Sequence, residues 1–392
     1  MSELLILVSQ LVALAISGLF IYGVVELVRN ESLRTRVSKE VRAHVDAVRK
    51  AFGFTRTPHN PVVTPGGQNW EAEGVLNPGA VEVDGDVHLF YRAIGSDGVS
   101  RIGYASSAGG DSFPNRLPYP VFALQNDSED DAAMRARTMA NHTGLAASGG
   151  SWSGVEDPRA VVIDDTLYLT FSAFAGWDSV RMGLTSLSLE DLRAKKWKWT
   201  PPVYLSPKGQ VHKNWVLFPE KINGKYAVLH SLHGGSHEKV LVDYFDTLEN
   251  SPAVAIESPD PNALPDNPKG WHKRVRGAGP PPIKTDKGWL VLYHAIDNEG
   301  PSHYKLGALL LDLQDPTTVI ARSIAPILAP TAAYENEGAK AGVVYACGAI
   351  VKGDVLTIYY GGADSVICSA THSLSKLLTM MTDGAAFETM AA

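Results

Sequence analysis

Residues 156–173 read EDPRAVVIDDTLYLTFSA, which is one strand, one turn and a second strand. Ala160 to Ile163 form an apolar run, and Asp164-Asp165 break it. Leu167, Leu169, Phe171 and Ala173 then alternate with Tyr168, Thr170 and Ser172. Alternation with period two marks a strand whose two faces meet different surroundings, and paired Asp, Asn or Gly residues between two such runs mark a hairpin. A third strand, RMGLT, starts at Arg181.

The same unit recurs along the chain. The turns Asp84-Gly85, Asn223-Gly224, Asp286-Lys287-Gly288 and Lys352-Gly353-Asp354 join Asp164-Asp165 at intervals of about 60 to 80 residues, a repeat spacing. Each is followed by a comparable strand: VHLFYRA from Val87, YAVLHSL from Tyr226, WLVLYHA from Trp289 and LTIYYGG from Leu356. Third strands RIGYA from Arg101, KVLVD from Lys239 and KLGAL from Lys305 complete most units. A β-sandwich built from hairpins does not account for one signature recurring with the same internal spacing. A meander repeated around an axis does, so the fold class expected is all-β, a five-bladed β-propeller.

Ahead of the repeats, Leu4 to Val28 read LLILVSQLVALAISGLFIYGVVELV, with Glu26 as the only charge. At 1.5 Å per residue this stretch is roughly 37 Å of helix, enough to span a membrane. No Lys or Arg precedes it, whereas Arg29, Arg34, Arg36, Lys39 and Arg42 follow. That asymmetry puts the amino terminus outside and the main domain in the cytoplasm. A short juxtamembrane helix follows, with Asn30 as cap and Leu33, Val37, Val41, Val45, Val48 and Phe52 at helical spacing. The expected organisation is a transmembrane anchor over 1–29, a juxtamembrane helix and linker over 30–56, the propeller over 57–371, and a short helix with a tail over 372–392.

Composition narrows the function. The 392 residues carry 35 Lys and Arg against 42 Asp and Glu, a net charge of −7 that speaks against nucleic acid as a partner. With two cysteines, Cys347 and Cys368, the chain is no disulfide scaffold. They fall on the first and third strands of unit five, about 10 Å apart and beyond bridging distance, so both are expected as free thiols. The twelve His show no metal-ligand spacing, and no GxGxxG or P-loop occurs. No metal or cofactor is expected. Gln125 to Ser151 is polar and nearly strandless, a long loop over the mouth or an unstructured insert.

In an antiparallel meander the start of the first strand, the end of the second and the start of the third share one end. That end gathers Asn77, Arg92 and Arg101 in unit one, and Asp157, Arg159, Ser172 and Arg181 in unit two. It gathers Lys221, His230 and Lys239 in unit three, and His294 and Lys305 in unit four. Recurrence in four units points to a pocket. Glu156 beside Asp157 favours a protonated acid, whereas Arg159 favours the anion, and the sequence leaves both open. Asp97, Asp178 and Asp364 are further carboxylates at this end. Arg101, Arg159, Arg181, Lys213, Lys221, His294 and Lys305 are a basic set suited to phosphate. Trp177, Trp215 and Trp271 serve either sugar stacking or blade packing.

Taken as an ordered set, several motifs resemble glycoside hydrolase family 130, five-bladed propellers acting on β-mannosides. They are NPVVTP at Asn60, NPGAV at Asn77, YRA at Tyr91, SRIGYA at Ser100, EDPR at Glu156, NWVLFPEKI at Asn214, GAGPPPI at Gly277, LVLYHA at Leu290, YKLGALLLDL at Tyr304 and YYGGADS at Tyr359. The resemblance runs from about Asn60 to Ala370. It implies that Asp157 is the general acid, its proton passing to the glycosidic oxygen through a sugar hydroxyl. It implies that Asn77 and Asp364 hold the mannose that is cleaved off; Arg92 and Arg101, at the same end of unit one, are assigned to the substrate with them. It implies that Lys213-Asn214, Lys221 and His294 belong to a phosphate pocket, to which Arg159 and Arg181 are natural additions.

Two departures bear on the reaction. Many phosphorylases of that family carry Arg where this chain has Ser231, and some have Arg where it has Glu220. Phosphorolysis needs one acid, because phosphate is the nucleophile. Inverting hydrolysis needs a second carboxylate as base, and Glu220 is the candidate. The reading is therefore an inverting β-mannoside phosphorylase releasing α-mannose 1-phosphate, with inorganic phosphate as co-substrate. The alternatives are an inverting β-mannosidase and a sugar-binding propeller without catalysis. The partners expected are a β-mannoside oligosaccharide, phosphate and, through the first helix, a membrane. A homo-oligomer is compatible with the sequence, and the linkage, β-1,2 or β-1,4, stays open.

Overall fold

Each expected hairpin forms, and its turn chemistry explains why. A computed structural model of the chain describes residues 53–124, 148–177, 180–232, 240–248, 271–297, 303–382 and 387–389. The apolar stretch 4–28, the helix expected before Gly53, Asp178, Lys239 and most of the polar segment 125–151 lie outside these residues. Among the described residues no helix is long and apolar enough to cross a membrane.

Unit one is Gly74–Val83, Asp86–Ile94 and Val99–Ser107; unit two is Ser153–Ile163, Thr166–Phe174 and Val180–Ser188. Unit three is Val216–Leu217, Tyr226–Ser231 and Leu241–Phe245. Unit four is Arg274–Ala278, Trp289–Ile296, Tyr304–Leu311 and Val319–Ser323, and unit five is Val344–Lys352, Val355–Gly362 and Val366–Ser373. Asp84-Gly85 and Asn223-Gly224 have positive φ at both residues, the tight turn whose twist matches that of the flanking strands.

A second regularity lies inside the units. Gly103, Gly183 and Gly307 stand opposite Tyr91, Phe171 and Tyr293 in the ladder. A Cβ at any of the three would come within 2.4 Å of the facing ring. The ring lies across the glycine, so an aromatic in the second strand and Gly in the third act as one packing element.

Among the described residues the five units fall into four sheets rather than five. Units one and two share an eight-stranded sheet through a short parallel contact, Val99 with Ser153 and Ser100 with Gly154. Hydrophobic clusters join successive units. Phe90 and Tyr104 pack with Val155 and Phe171; Val161 and Met182 with Trp215 and Val228; Val216 and Phe218 with Val291 and Tyr293. Tyr304 packs on Tyr345 and Cys347, and Leu89 and Tyr91 pack with Tyr359 and Ile367, so the last unit meets the first. Both cysteines are free and buried, and burial pushes the Cys347 thiol up to about 12.

The body extends past both ends of the span 57–371. Thr55–Arg56 is an edge strand on Val366–Ser373, although the sequence placed these two residues in the linker. The short C-terminal helix is Leu374–Thr382, with Leu377, Leu378 and Met381 buried. After it, Phe387–Thr389 pairs with Val319–Ser323.

Candidate active site

Three of the residues that reach the pocket, Asn77, Asp157 and Arg276, sit at β-bulges. In unit one the register slips between Leu76 and Gly79, so Asn77-Pro78 together face Tyr91. In unit two it slips between Glu156 and Arg159, so Asp157-Pro158 face Phe171. The same slip leaves Arg276 unpaired in the ladder of unit four and Cys347 in that of unit five. A bulge re-aims its extra residue away from the regular alternation, and a proline costs no ladder bond there. Asn77 and Asp157 have φ of 49° and 50°, and Asn214, just before the first strand of unit three, has 66°. Gly361 makes the approach possible, since a Cβ there would stand 2.2 Å from Asn77 Oδ1.

These residues meet in one cleft. Its wall includes Asn77, Arg92, Asp157, Lys213, Asn214 and Asp364, joined by Trp177, Arg276, Tyr304, Lys340 and Tyr345. Asn77 Nδ2 donates to Asp157 Oδ1 at 2.8 Å, and Arg92 Nη1 lies 3.3 Å from the same oxygen. Arg92 Nη2 and Lys213 Nζ each contact the fully buried Glu156 at 2.9 Å. Ser148 donates to Glu156 and accepts from Lys213, and Ser151 also donates to Glu156. Arg159 stands behind the wall, donating to Asp157 O at 2.6 Å and Asn214 Oδ1 at 2.8 Å. Tyr345 donates to Asn214 Oδ1 at 2.7 Å, and Asn214 donates to Arg276 O. Arg276 Nε reaches Tyr304 Oη at 3.2 Å, and Lys340 Nζ lies 4.3 Å from the Tyr304 ring centre.

The ambiguity left at Asp157 resolves toward the anion. Burial pushes its pKa up, but Arg92, Arg159 and Lys213, with the Asn77 hydrogen bond, more than offset this and hold it at about 2. Glu156 does not keep a proton on Asp157, because its charge is taken up by Arg92 and Lys213. Burial raises Asp364, helped by the negative charges of Asp157 and Glu156 and opposed by Lys340 and Arg92. Two carboxyl groups in one cleft are thus pushed in opposite directions.

Several expected members stand elsewhere. Glu220 is not on the wall: it is half-buried and pairs with Lys284 at 2.6 Å. Lys221 is exposed, 3.7 Å from Asp164 and over the Tyr226 ring. The reason is length, since the first strand of unit three is only Val216–Leu217 and residues 220 and 221 already approach the Asn223-Gly224 turn at the far end. Arg101 and Arg181 miss the wall through alternation. They pair with Ala93 and Ala173, one residue along from Arg92 and Ser172, and so take the opposite face. Arg101 pairs with Asp97 at 2.6 Å, and Arg181 packs over Tyr204. Lys305 opposes Ala295 and pairs with Asp297. His230 is buried against Asp243. His294 is fully buried and stacks on Tyr345, centroids 3.8 Å apart; burial and Arg159 drive its pKa down to about 3, so it offers no charge. Trp177 is on the wall, while Trp215 packs in the core and the half-buried Trp271 packs against it.

Arg276, Tyr304, Lys340 and Tyr345 belong to the wall without having been singled out. A signal for Arg276 did exist, because RVRGAG in unit four aligns with the bulges of units one and two once the register is known. Lys340 comes from a loop without periodicity.

Comparison with known proteins identifies the family. Residues 45–383 match the Glyco_hydro_130 family model, described as beta-1,4-mannooligosaccharide phosphorylase. A 1,2-beta-oligomannan phosphorylase of Thermoanaerobacter sp. (strain X514) is 38% identical over 324 residues, covering 80% of this chain and 94% of the relative. A beta-1,2-mannobiose phosphorylase of the same organism is 33% identical, covering 83% and 99%. Among solved structures, the beta-1,2-mannobiose phosphorylase of Listeria innocua, in complex with beta-1,2-mannobiose, superposes with a TM-score of 0.62 at 26% identity, covering 84% of this chain and 99% of that one.

Proposed function

The chain belongs to glycoside hydrolase family 130, and from that premise we propose that it is an inverting β-mannoside phosphorylase acting on β-1,2-linked mannosides. The observation that carries this reading is the charge of the cleft. Among the described residues its wall bears four cations, Arg92, Lys213, Arg276 and Lys340, against the two carboxylates Asp157 and Asp364. Glu156 behind the wall does not fully redress that excess. A neutral sugar has no use for it, whereas a phosphate dianion does. The linkage is supported by relatives that act on β-1,2-mannosides at 38% and 33% identity, against 29% for a β-1,4-mannooligosaccharide phosphorylase.

In this reading Asn77 and Asp364 hold the mannosyl unit, and Lys213, Arg276 and Lys340 receive phosphate. Asp157 supplies the proton that leaves with the shortened acceptor. A phosphate oxygen forms the new bond to the anomeric carbon as the glycosidic bond breaks, which inverts the configuration. The proton carried by the phosphate is then available to restore Asp157. An acid held at about 2 is ionised in the empty cleft. Two negative charges arriving beside the cations offset their hold on Asp157 and raise its pKa toward the working range.

Hydrolysis is the weaker reading, because Glu220 pairs with Lys284 outside the cleft. The deciding experiment incubates the protein with β-1,2- and β-1,4-mannobiose, with and without inorganic phosphate. The expected products are mannose 1-phosphate that depends on phosphate, formed faster from the β-1,2 disaccharide, with Glu220→Gln within about twofold of the parent, as for a surface change. Free mannose at equal rate without phosphate, lost in Glu220→Gln, refutes the proposal.

The five units are read as blades of one five-bladed propeller, a reading supported by clusters that join each unit to the next and the fifth to the first. The anchor is likewise our reading, resting on the apolar run Leu4–Val28, with Glu26 as its one charge, and the Arg and Lys that follow Val28. The full chain should then sediment with membranes, with the catalytic domain on the cytoplasmic side, and deletion of residues 4–28 should release it. Recovery of the full chain in the supernatant sinks the anchor.

A further inference from the structure

Residues 53–61 stand outside the repeat pattern, yet they are tied to unit five and to the segment that precedes it. Phe54 N donates to Ile327 O at 3.0 Å, and Thr57 N to Ser369 O at 3.1 Å. Between them lies a buried carboxylate, Glu335, with no exposed surface. Its oxygens receive Arg56 Nε and Nη2, both at 2.7 Å, Tyr360 Oη at 2.8 Å, and the backbone N–H groups of Thr331 and Ala332 at 2.7 and 2.9 Å. Arg56 Nη2 also reaches Ala329 O at 2.6 Å. A planar guanidinium set in two parallel bonds on a carboxylate fixes orientation as well as charge.

The backbone of Glu335 carries the other half of the arrangement. Its carbonyl accepts from Gly342 N at 3.0 Å and Val343 N at 3.1 Å. Lys340 N donates to Ala363 O at 2.9 Å, and Ala363 N to Val343 O at 3.1 Å. Residues 331–343 are thus folded around Glu335, and the far limb of that loop brings Lys340 and Val343 to the wall that also holds Asp364.

We propose that Arg56 is a positioning residue: through Glu335 it sets where the loop 331–343 presents Lys340, so the segment ahead of unit one takes part in ligand recognition. The identity of the ligand, phosphate, rests on the phosphorylase reading. Removing the guanidinium leaves a buried carboxylate without its counter-charge, and such a group turns toward water or takes a proton. Either change moves the loop and Lys340 with it. A plain staple would instead hold the edge strand to its sheet and affect stability alone.

The two differ in the coupling between Arg56 and Lys340. In the full chain, Lys340→Met should raise the KM for phosphate roughly tenfold, the size of one lost charge-assisted contact. Arg56→Met should raise it by a similar factor, with kcat changed less than about threefold, and Arg56→Lys should recover part of the loss. The double variant should be no worse than the weaker-binding single one, because residues acting through one another are not additive. If the two factors multiply, or if Arg56→Met lowers Tm and leaves KM at the parent value, the proposal fails. Should Arg56→Met not fold, Arg56→Lys enters the same cycle and is judged by the same criterion. A parent protein without phosphate-dependent turnover is a failure of the phosphorylase reading alone. The cycle is then read on the Kd of inorganic phosphate by calorimetry, where additive losses again overturn the role of Arg56.

Discussion

Asp157→Asn is expected to lower kcat/KM for phosphorolysis by about 10³ while the protein still folds. A positioned general acid contributes about 10² to 10⁴ in rate, and Asn cannot supply the proton. Its shape is conserved, so Asn77 and Arg92 keep an oxygen to bond to. Stability falls as well, because Asp157 sits at about 2 in the fold against 3.8 for the ordinary group, a difference worth roughly 2 kcal/mol. The sign follows from the lowered pKa. The contribution is fully present above about 4 and is lost as pH falls through about 2, so the parent should lose Tm across that window more steeply than the variant. Kinetics at pH 7 and melting curves between pH 2 and 5 check both parts. If Asp157→Asn keeps its turnover and Asp364→Asn loses it, the acid is the carboxyl that burial raises, and the roles are exchanged.

Lys213→Met is expected to cost about 10² to 10³ in kcat/KM, expressed mainly as a higher KM for phosphate. The ammonium touches Glu156 at 2.9 Å and Ser148 at 2.7 Å, and it lies 4.9 Å from the Trp177 ring centre. Methionine removes one of the wall cations and leaves the buried Glu156 with one cation, Arg92, and the hydroxyls of Ser148 and Ser151. Taking one of its two counter-charges from a buried carboxylate is destabilising, so Tm should drop too. Lys213→Arg separates the effects, since it restores charge and should return most of the phosphate affinity. A variant with lowered Tm and an unchanged KM for phosphate would make Lys213 a partner of Glu156 and nothing more.

Much of the architecture is legible from turns and alternation alone. Asp84-Gly85 and Asn223-Gly224 announce their hairpins, and the Gly of RIGYA, RMGLT and KLGAL recurs because an aromatic ring lies across it. Asn77, Asp157, Lys213, Asn214 and Asp364 were singled out and do stand on the wall. Two physical details were not legible. The face on which a strand residue points depends on register, and a shift of one residue separates Arg92 from Arg101 and Ser172 from Arg181. Strand length is the other, since counting onward from a two-residue strand carries Glu220 and Lys221 to the wrong end. Arg276 escaped notice for the converse reason: a bulge, invisible to period-two reading, turns it inward. Lys340 depends on the fold of a loop around Glu335, which no local pattern encodes.

The bulges also separate two kinds of selection. Asn77, Asp157 and Arg276 each occupy a slipped register on the cleft wall, so none has to satisfy a one-to-one ladder pairing. Mutational drift at such a site is screened by the ligand, while drift at neighbouring ladder positions is screened by folding. A lineage built on this scaffold can therefore exchange one sugar or one anion for another through a few changes at those positions. The register of the sheets would be left in place.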